Sequence, residues 1–182
     1  MNLPNLLTLL RLALIPVLVV LLAVGESPGF TLGAAAIFAS AAFTDWLDGY
    51  MARRRKEVTD LGKLLDPIAD KLLILSALVM LVEAGRAPGW LVILILAREF
   101  AVTGLRAVAA AGGRVLAAER LGKLKMVAQT IAVLVLILEP ALPAWTHTLG
   151  LGLLLAATAL AILSASRYAV QYGRSLGPAA AR

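Results

Sequence analysis

The 182 residues contain no cysteine and a single histidine, His147. That excludes disulfides, thiolate catalysis and any cysteine-based metal site. Charge is also scarce. Charged residues make up 15% of the chain against 61% hydrophobic, a balance far from that of a soluble domain. The net charge of +6 does not point to nucleic acid, because the basic residues are not interleaved with aromatics on a polar surface. They gather at the ends of apolar runs, where they suit anionic lipid headgroups and phosphate substrates. No Lys or Arg precedes the first apolar run, so a cleaved signal peptide is not expected. There is no low-complexity tract and no repeat, and residues 1–182 read as one domain.

What is abundant is apolar sequence. Six segments are long enough to span a bilayer: 5–24, 29–50, 64–82, 90–110, 125–138 and 146–169. The expected fold is therefore all-α, a polytopic membrane protein with six transmembrane helices. Arg53, Arg54, Arg55, Lys56 and Lys63 lie between spans two and three, and Arg114, Arg120, Lys123 and Lys125 between spans four and five. Arg167, Arg174 and Arg182 lie at or beyond the end of span six, while the other loops hold only Arg86 beside Glu26, Glu83 and Glu139. The positive-inside rule then puts both termini in the cytoplasm. His147 falls in an outer loop and reads as a solvated residue.

The expensive residues are the aspartates. Asp45 and Asp48, three apart, fall at the end of span two; Asp66 and Asp70, four apart, fall at the start of span three. Each pair shares a helix face. A short polar turn, about 54–61, would make these helices antiparallel neighbours with their acidic faces opposed. Four facing carboxylates repel in a low dielectric, and hard divalent cations remove the repulsion. Carboxylate oxygens suit Mg²⁺ or Mn²⁺, and Mg²⁺ commonly shares its shell with substrate phosphates. Gly49 and Ala52 clear a strip of helix for a bulky ligand, and Arg53 offers a fork of donors to a diphosphate. Pro67 either frees a backbone carbonyl near the aspartates or occupies a first helical turn. Either Thr59 or Asp60 could cap span three.

Two further polar groups stand out. Asn5, Thr8 and Arg11 form one polar stripe on span one; they either bond to neighbouring helices or line a ligand pocket. Arg98 lies about 12 Å beyond Trp90, a candidate interface anchor, at 1.5 Å per residue. At that depth it needs a partner in protein or water. Glu99, adjacent in sequence, is expected to point elsewhere. Arg106 is on nearly the same face as Arg98, and with Lys123 and Lys125 these residues could enclose one phosphate. The two lysines alone could equally snorkel to the cytoplasmic surface.

The pattern D-x2-D-G-x2-A-R-x8-G-x3-D-x3-D, filled by Asp45, Asp48, Gly49, Ala52, Arg53, Gly62, Asp66 and Asp70, resembles the signature of the CDP-alcohol phosphotransferases. The resemblance implies an integral membrane enzyme that transfers a phosphatidyl or similar group from a CDP-linked donor to an alcohol. Flanking motifs, NLPNLLTLLR, A-R-E-F-x3-G-L-R and G-K-x-K, are similar to those of members that use sn-glycerol 3-phosphate. The implied reaction moves the phosphatidyl group of CDP-diacylglycerol to that acceptor and releases CMP. The implied site has two Mg²⁺ or Mn²⁺ ions held by Asp45, Asp48, Asp66 and Asp70, with Asp70 as the base. Donor contacts carry over to Asn5, Thr8, Asp48, Gly49, Ala52, Arg53 and Thr59. Arg98, Arg106, Lys123 and Lys125 are the expected acceptor-phosphate residues. The family also implies a homodimer in the plasma (inner) membrane with the site facing the cytoplasm. Rival readings are the same chemistry on phosphatidylglycerol or inositol phosphate, and a cation transporter. Against transport, no acidic residue at mid-depth continues an ion path.

Overall fold

The computed structural model describes residues 3–25, 27–55, 60–113 and 120–175, with side chains at 6–25, 27–44, 65–113, 122 and 124–173. Among these the chain is all helical. Six helices follow one another: α1 (Leu3–Val24), α2 (Pro28–Arg55), α3 (Asp60–Glu83), α4 (Gly89–Ala111), α5 (Arg120–Leu138) and α6 (Trp145–Ser175), with a 3-10 turn at Glu139–Ala141. Each apolar run of the sequence lies within one helix. The helices run past the expected ends, α2 to Arg55 rather than 50 and α3 from Asp60 rather than 64. Arginine is a good helix former, and hydrogen bonding along the backbone does not stop where apolarity does.

Among the described residues three stretches are long and apolar enough to cross a membrane: Leu6–Val24, Leu124–Ala141 and Trp145–Gly173, with a shorter apolar helix segment at Pro28–Thr44. That is fewer than the six spans expected. Charged side chains interrupt the apolar runs of α3 (Asp66, Asp70 and Lys71) and α4 (Arg98, Glu99 and Arg106), and the side chains of α2 are described only as far as Thr44. The outer surface is nonetheless apolar. Phe100 is 71% exposed and Ile93 65%, and Val20, Val79 and Leu163 also point outward. Lipid is the solvent such a surface suits.

Local chemistry sets the turns. Proline at the first position of α2 follows Gly25, whose φ of +149° suits glycine. After α3, Gly85 adopts φ +71° while its N–H bonds to the Val82 carbonyl (3.0 Å) and that of Arg86 to Leu81 (2.8 Å). This closure satisfies the last carbonyls of the helix. The buried Arg86 then donates Nη1 to the Ile137 carbonyl, 3.4 Å away, tying the turn to the end of α5. Pro67 lies well inside α3 rather than in its first turn, so it leaves the Lys63 carbonyl without its usual helix donor.

All six helices supply the main core: Leu18, Phe38, Leu78, Leu81, Leu91, Ile95, Leu136 and Leu154 are among its buried members. The small residues Ala34, Ala35 and Ala41 let α2 approach its neighbours closely. α1 is the principal neighbour of both α2 and α3, which touch each other less than their short connection suggested. α5 and α6 pack most intimately. Gly150 of α6 is buried against α5, and a Cβ there would lie 2.6 Å from Leu136 Cδ2.

Candidate functional site

Asp66 and Asp70 lie one turn apart on α3 and both face α1. Thr8 Oγ1 donates to Asp66 Oδ1 at 2.5 Å, and Arg11 Nη1 donates to Asp70 Oδ1 at 2.7 Å. The Thr8–Arg11 stripe on α1, spaced three apart, thus meets the Asp66–Asp70 stripe on α3. Arg11 Nε also donates to the Ala41 carbonyl of α2 at 3.3 Å, so one guanidinium joins three helices. Thr8 and Arg11 are both 1% exposed, whereas Asp70 retains 30%. The carboxylates therefore have an enclosed side fixed by donors and a side open to a ligand.

Of the two uses open to this stripe, the interhelical bonds are what the structure displays. Arg11 itself had no assigned site role in the sequence. Its signal was available, since an arginine on an otherwise apolar helix needs an anion, but the anion sits 59 residues away. Asp45, Asp48, Gly49, Ala52 and Arg53 lie on the C-terminal part of α2, and Asn5 on the first turns of α1. Their side chains, like Thr59 as a whole, fall outside the described residues. Among the described residues no group of three or more possible metal ligands occurs.

A second polar cluster joins α4, α5 and α6. Arg98 donates Nε to the Ala161 carbonyl (3.0 Å), Nη2 to Ser164 Oγ (3.1 Å) and Nη1 to Glu99 Oε1 (3.0 Å). Lys125 Nζ bonds to the same Glu99 oxygen. Glu99 therefore does not point away from Arg98, as its adjacency suggested. The two residues leave α4 about 100° apart, but the long arginine folds back towards α6 and the glutamate reaches α5, so they meet in the crevice between. Gly122, the glycine of G-K-x-K, packs against Ser164 in the same crevice. Arg106, two turns along α4, is exposed and outside this cluster; Lys123 has no described side chain. Two cations against one carboxylate leave the cluster one positive charge in excess.

His147 is not in a loop but in the first turn of α6, where Nδ1 lies 3.0 Å from Glu139 Oε2. It sits at the end of the bundle away from the aspartates.

Residues 1–165 match the CDP-alcohol phosphatidyltransferase family. A Bacillus subtilis protein named CDP-diacylglycerol–glycerol-3-phosphate 3-phosphatidyltransferase is 51% identical over 149 residues, covering 76% of this chain and 77% of its own. A Pseudomonas fluorescens protein of the same name is 41% identical over 177 residues, covering 92% and 88%.

Proposed function

Because this chain belongs to the CDP-alcohol phosphatidyltransferase family, we propose that it transfers the phosphatidyl group of CDP-diacylglycerol to sn-glycerol 3-phosphate, giving phosphatidylglycerophosphate and CMP. The names of its relatives support this acceptor. The observation that carries the chemistry is the pair Asp66 and Asp70, on one helix face and each oriented by a donor from α1.

These carboxylates fit a hard divalent cation by their donor chemistry. Their hydrogen bonds to Thr8 and Arg11 are the outer support that orients ligating carboxylates. Asp45, Asp48, Asp66 and Asp70 would hold Mg²⁺ or Mn²⁺, as two ions. When bound, the metal supplies charge neutralisation for the diphosphate and the departing CMP. Asp70 takes the proton of the acceptor hydroxyl, a role that needs a carboxylate within reach rather than a strongly altered acidity. Arg11 keeps that carboxylate aimed. Asn5, Thr8, Gly49, Ala52, Arg53 and Thr59 line the donor side with Asp48, the small residues leaving room for the nucleotide.

Arg98 and Lys125, with Arg106 and Lys123, receive the acceptor's phosphate. The excess positive charge around Glu99 supports this, since a desolvated cation cluster lowers its energy by taking an anion. The six apolar runs support six crossings, the distribution of Lys and Arg supports cytoplasmic termini and a cytoplasmic site, and the plasma membrane follows the family. A homodimer follows the family.

The test is to incubate purified protein with CDP-diacylglycerol and Mg²⁺, offer each acceptor separately, and follow CMP release. Turnover with sn-glycerol 3-phosphate is expected. Turnover only with phosphatidylglycerol, or only with inositol phosphate, would replace this reading by a different acceptor; no CMP release with any alcohol would leave transport in its place.

A further inference from the structure

Lys71 directly follows Asp70 on α3, and neither the signature nor the flanking motifs give it a role. Its side chain leaves α3 towards α4, where Nζ donates to Thr103 Oγ1 at 2.6 Å. Thr103 is neutral, so this bond satisfies one of the three ammonium donors and compensates none of the charge. The side chain is partly exposed and within electrostatic reach of Lys125. Its situation differs from that of the other two cations. Three of the five N–H donors of the Arg98 guanidinium are bonded within the protein, one of them to the Glu99 carboxylate. Lys125 is buried and clamped to Glu99. Of the three, Lys71 alone has no carboxylate partner among the described residues.

From this we infer that Lys71 is a specificity-determining residue for the acceptor, contributing the ammonium that meets its phosphate beside Asp70. The deep pair of Arg98 and Lys125, tied to Glu99, offers the phosphate its inner side, and Lys71 adds a cation at the mouth. Lys71 stands at the seam between the aspartate face and that cluster, one residue from the proposed base. An acceptor carrying its phosphate close to the reacting hydroxyl would bridge that short span, whereas an uncharged alcohol would leave the ammonium bonded to Thr103 alone. The inference rests on the proposed use of glycerol 3-phosphate.

The experiment compares wild type, Lys71→Gln, Lys71→Met, Lys71→Arg and Thr103→Val, each purified in detergent and monodisperse. It measures KM for glycerol 3-phosphate, KM for CDP-diacylglycerol, and inhibition by inorganic phosphate. Loss of one charge-assisted contact predicts a rise of about tenfold or more in acceptor KM for the Gln and Met variants. The donor KM should stay within about twofold, phosphate inhibition should weaken in parallel, and Lys71→Arg should recover much of the loss. Thr103→Val, which removes the acceptor of the lysine's hydrogen bond but leaves the ammonium in place, should change acceptor KM by no more than about threefold. Gln retains a donor for Thr103, so it tests charge even where the Met variant fails to fold. Unchanged acceptor KM and phosphate inhibition in Lys71→Gln would overturn the inference while leaving the acceptor reading intact. A Thr103→Val protein as impaired as Lys71→Gln would overturn it too, making the lysine a tie between helices. Wild type that ignores glycerol 3-phosphate would remove the acceptor reading itself, and the inference with it.

Discussion

Arg11 and Asp70 form a 2.7 Å ion pair in which the arginine is 1% exposed and the carboxylate 30%. The cation is the enclosed partner, held from behind by the Ala41 carbonyl, and the anion looks outward. Removing the arginine should therefore damage both fold and site. Arg11→Met is expected to cost about 2–3 kcal/mol, near the lower end for a broken buried pair because water can reach Asp70. Turnover should fall as well. Arg11→Lys should recover part of the stability but not the bridge to α2, since an ammonium lacks the guanidinium fork. Thermal unfolding in detergent and CMP release measure the two effects. An Arg11→Met protein as stable and active as wild type would make the pair incidental.

The two aspartates of α3 should separate by phenotype. Asp66→Asn should abolish transfer in a protein that still inserts and folds, because it removes a charged metal ligand. Chelation by EDTA should silence the wild type, with recovery on adding Mg²⁺ or Mn²⁺; full activity in chelator would end the metal mechanism. Asp70→Asn should still bind CDP-diacylglycerol yet lose turnover by roughly 10²–10⁴-fold, the usual worth of a general base. Retention of more than about a tenth of the wild-type rate would remove the base role.

Arg98→Ala should show two effects with different readouts. Acceptor KM should rise far more than donor KM. Thermal stability should also drop, because the guanidinium ties α4 to Ala161 and Ser164 of α6 and leaves Glu99 to Lys125 alone when it goes. Glycerol without its phosphate should be a very poor acceptor for the wild type, since it leaves the cluster's excess charge unmet. Equal use of glycerol and glycerol 3-phosphate would sink the acceptor assignment.

What could be read from the chain, and what could not, follows from the range of each interaction. The six helices are visible because apolar runs of bilayer length are a local signal, although among the described residues three stretches meet the length and composition of a span. The shared face of Asp66 and Asp70 was visible because a spacing of four is a property of the helix. Their partners were not. Thr8 and Arg11 stood out as a stripe, but which helix they meet depends on how α1 packs across α3, some 58 residues away. Adjacency sends Glu99 away from Arg98 only if side chains are rigid spokes. A long arginine is not rigid, and the crevice between α5 and α6 lets the two converge. His147 was placed by sequence in a loop, but α6 begins two residues before it and offers it Glu139.

The close contact at Gly150 reaches further than its own surroundings. With no side chain between them, α5 and α6 mesh at that point, and sliding α6 along its axis would bring the side chains one turn away on the same face, Thr146 or Leu154, against Leu136. The contact therefore acts as a registration mark. Ser164 lies 14 residues further along α6, about 21 Å at 1.5 Å per residue, and its height opposite Gly122 is set from that mark. Gly150→Val should shift the register, so that acceptor KM rises although nothing near the aspartates or Arg98 has been altered; an unchanged KM in a folded variant would mean the register is fixed elsewhere. A glycine at one end of the bundle thereby governs the alignment of a charged crevice at the other.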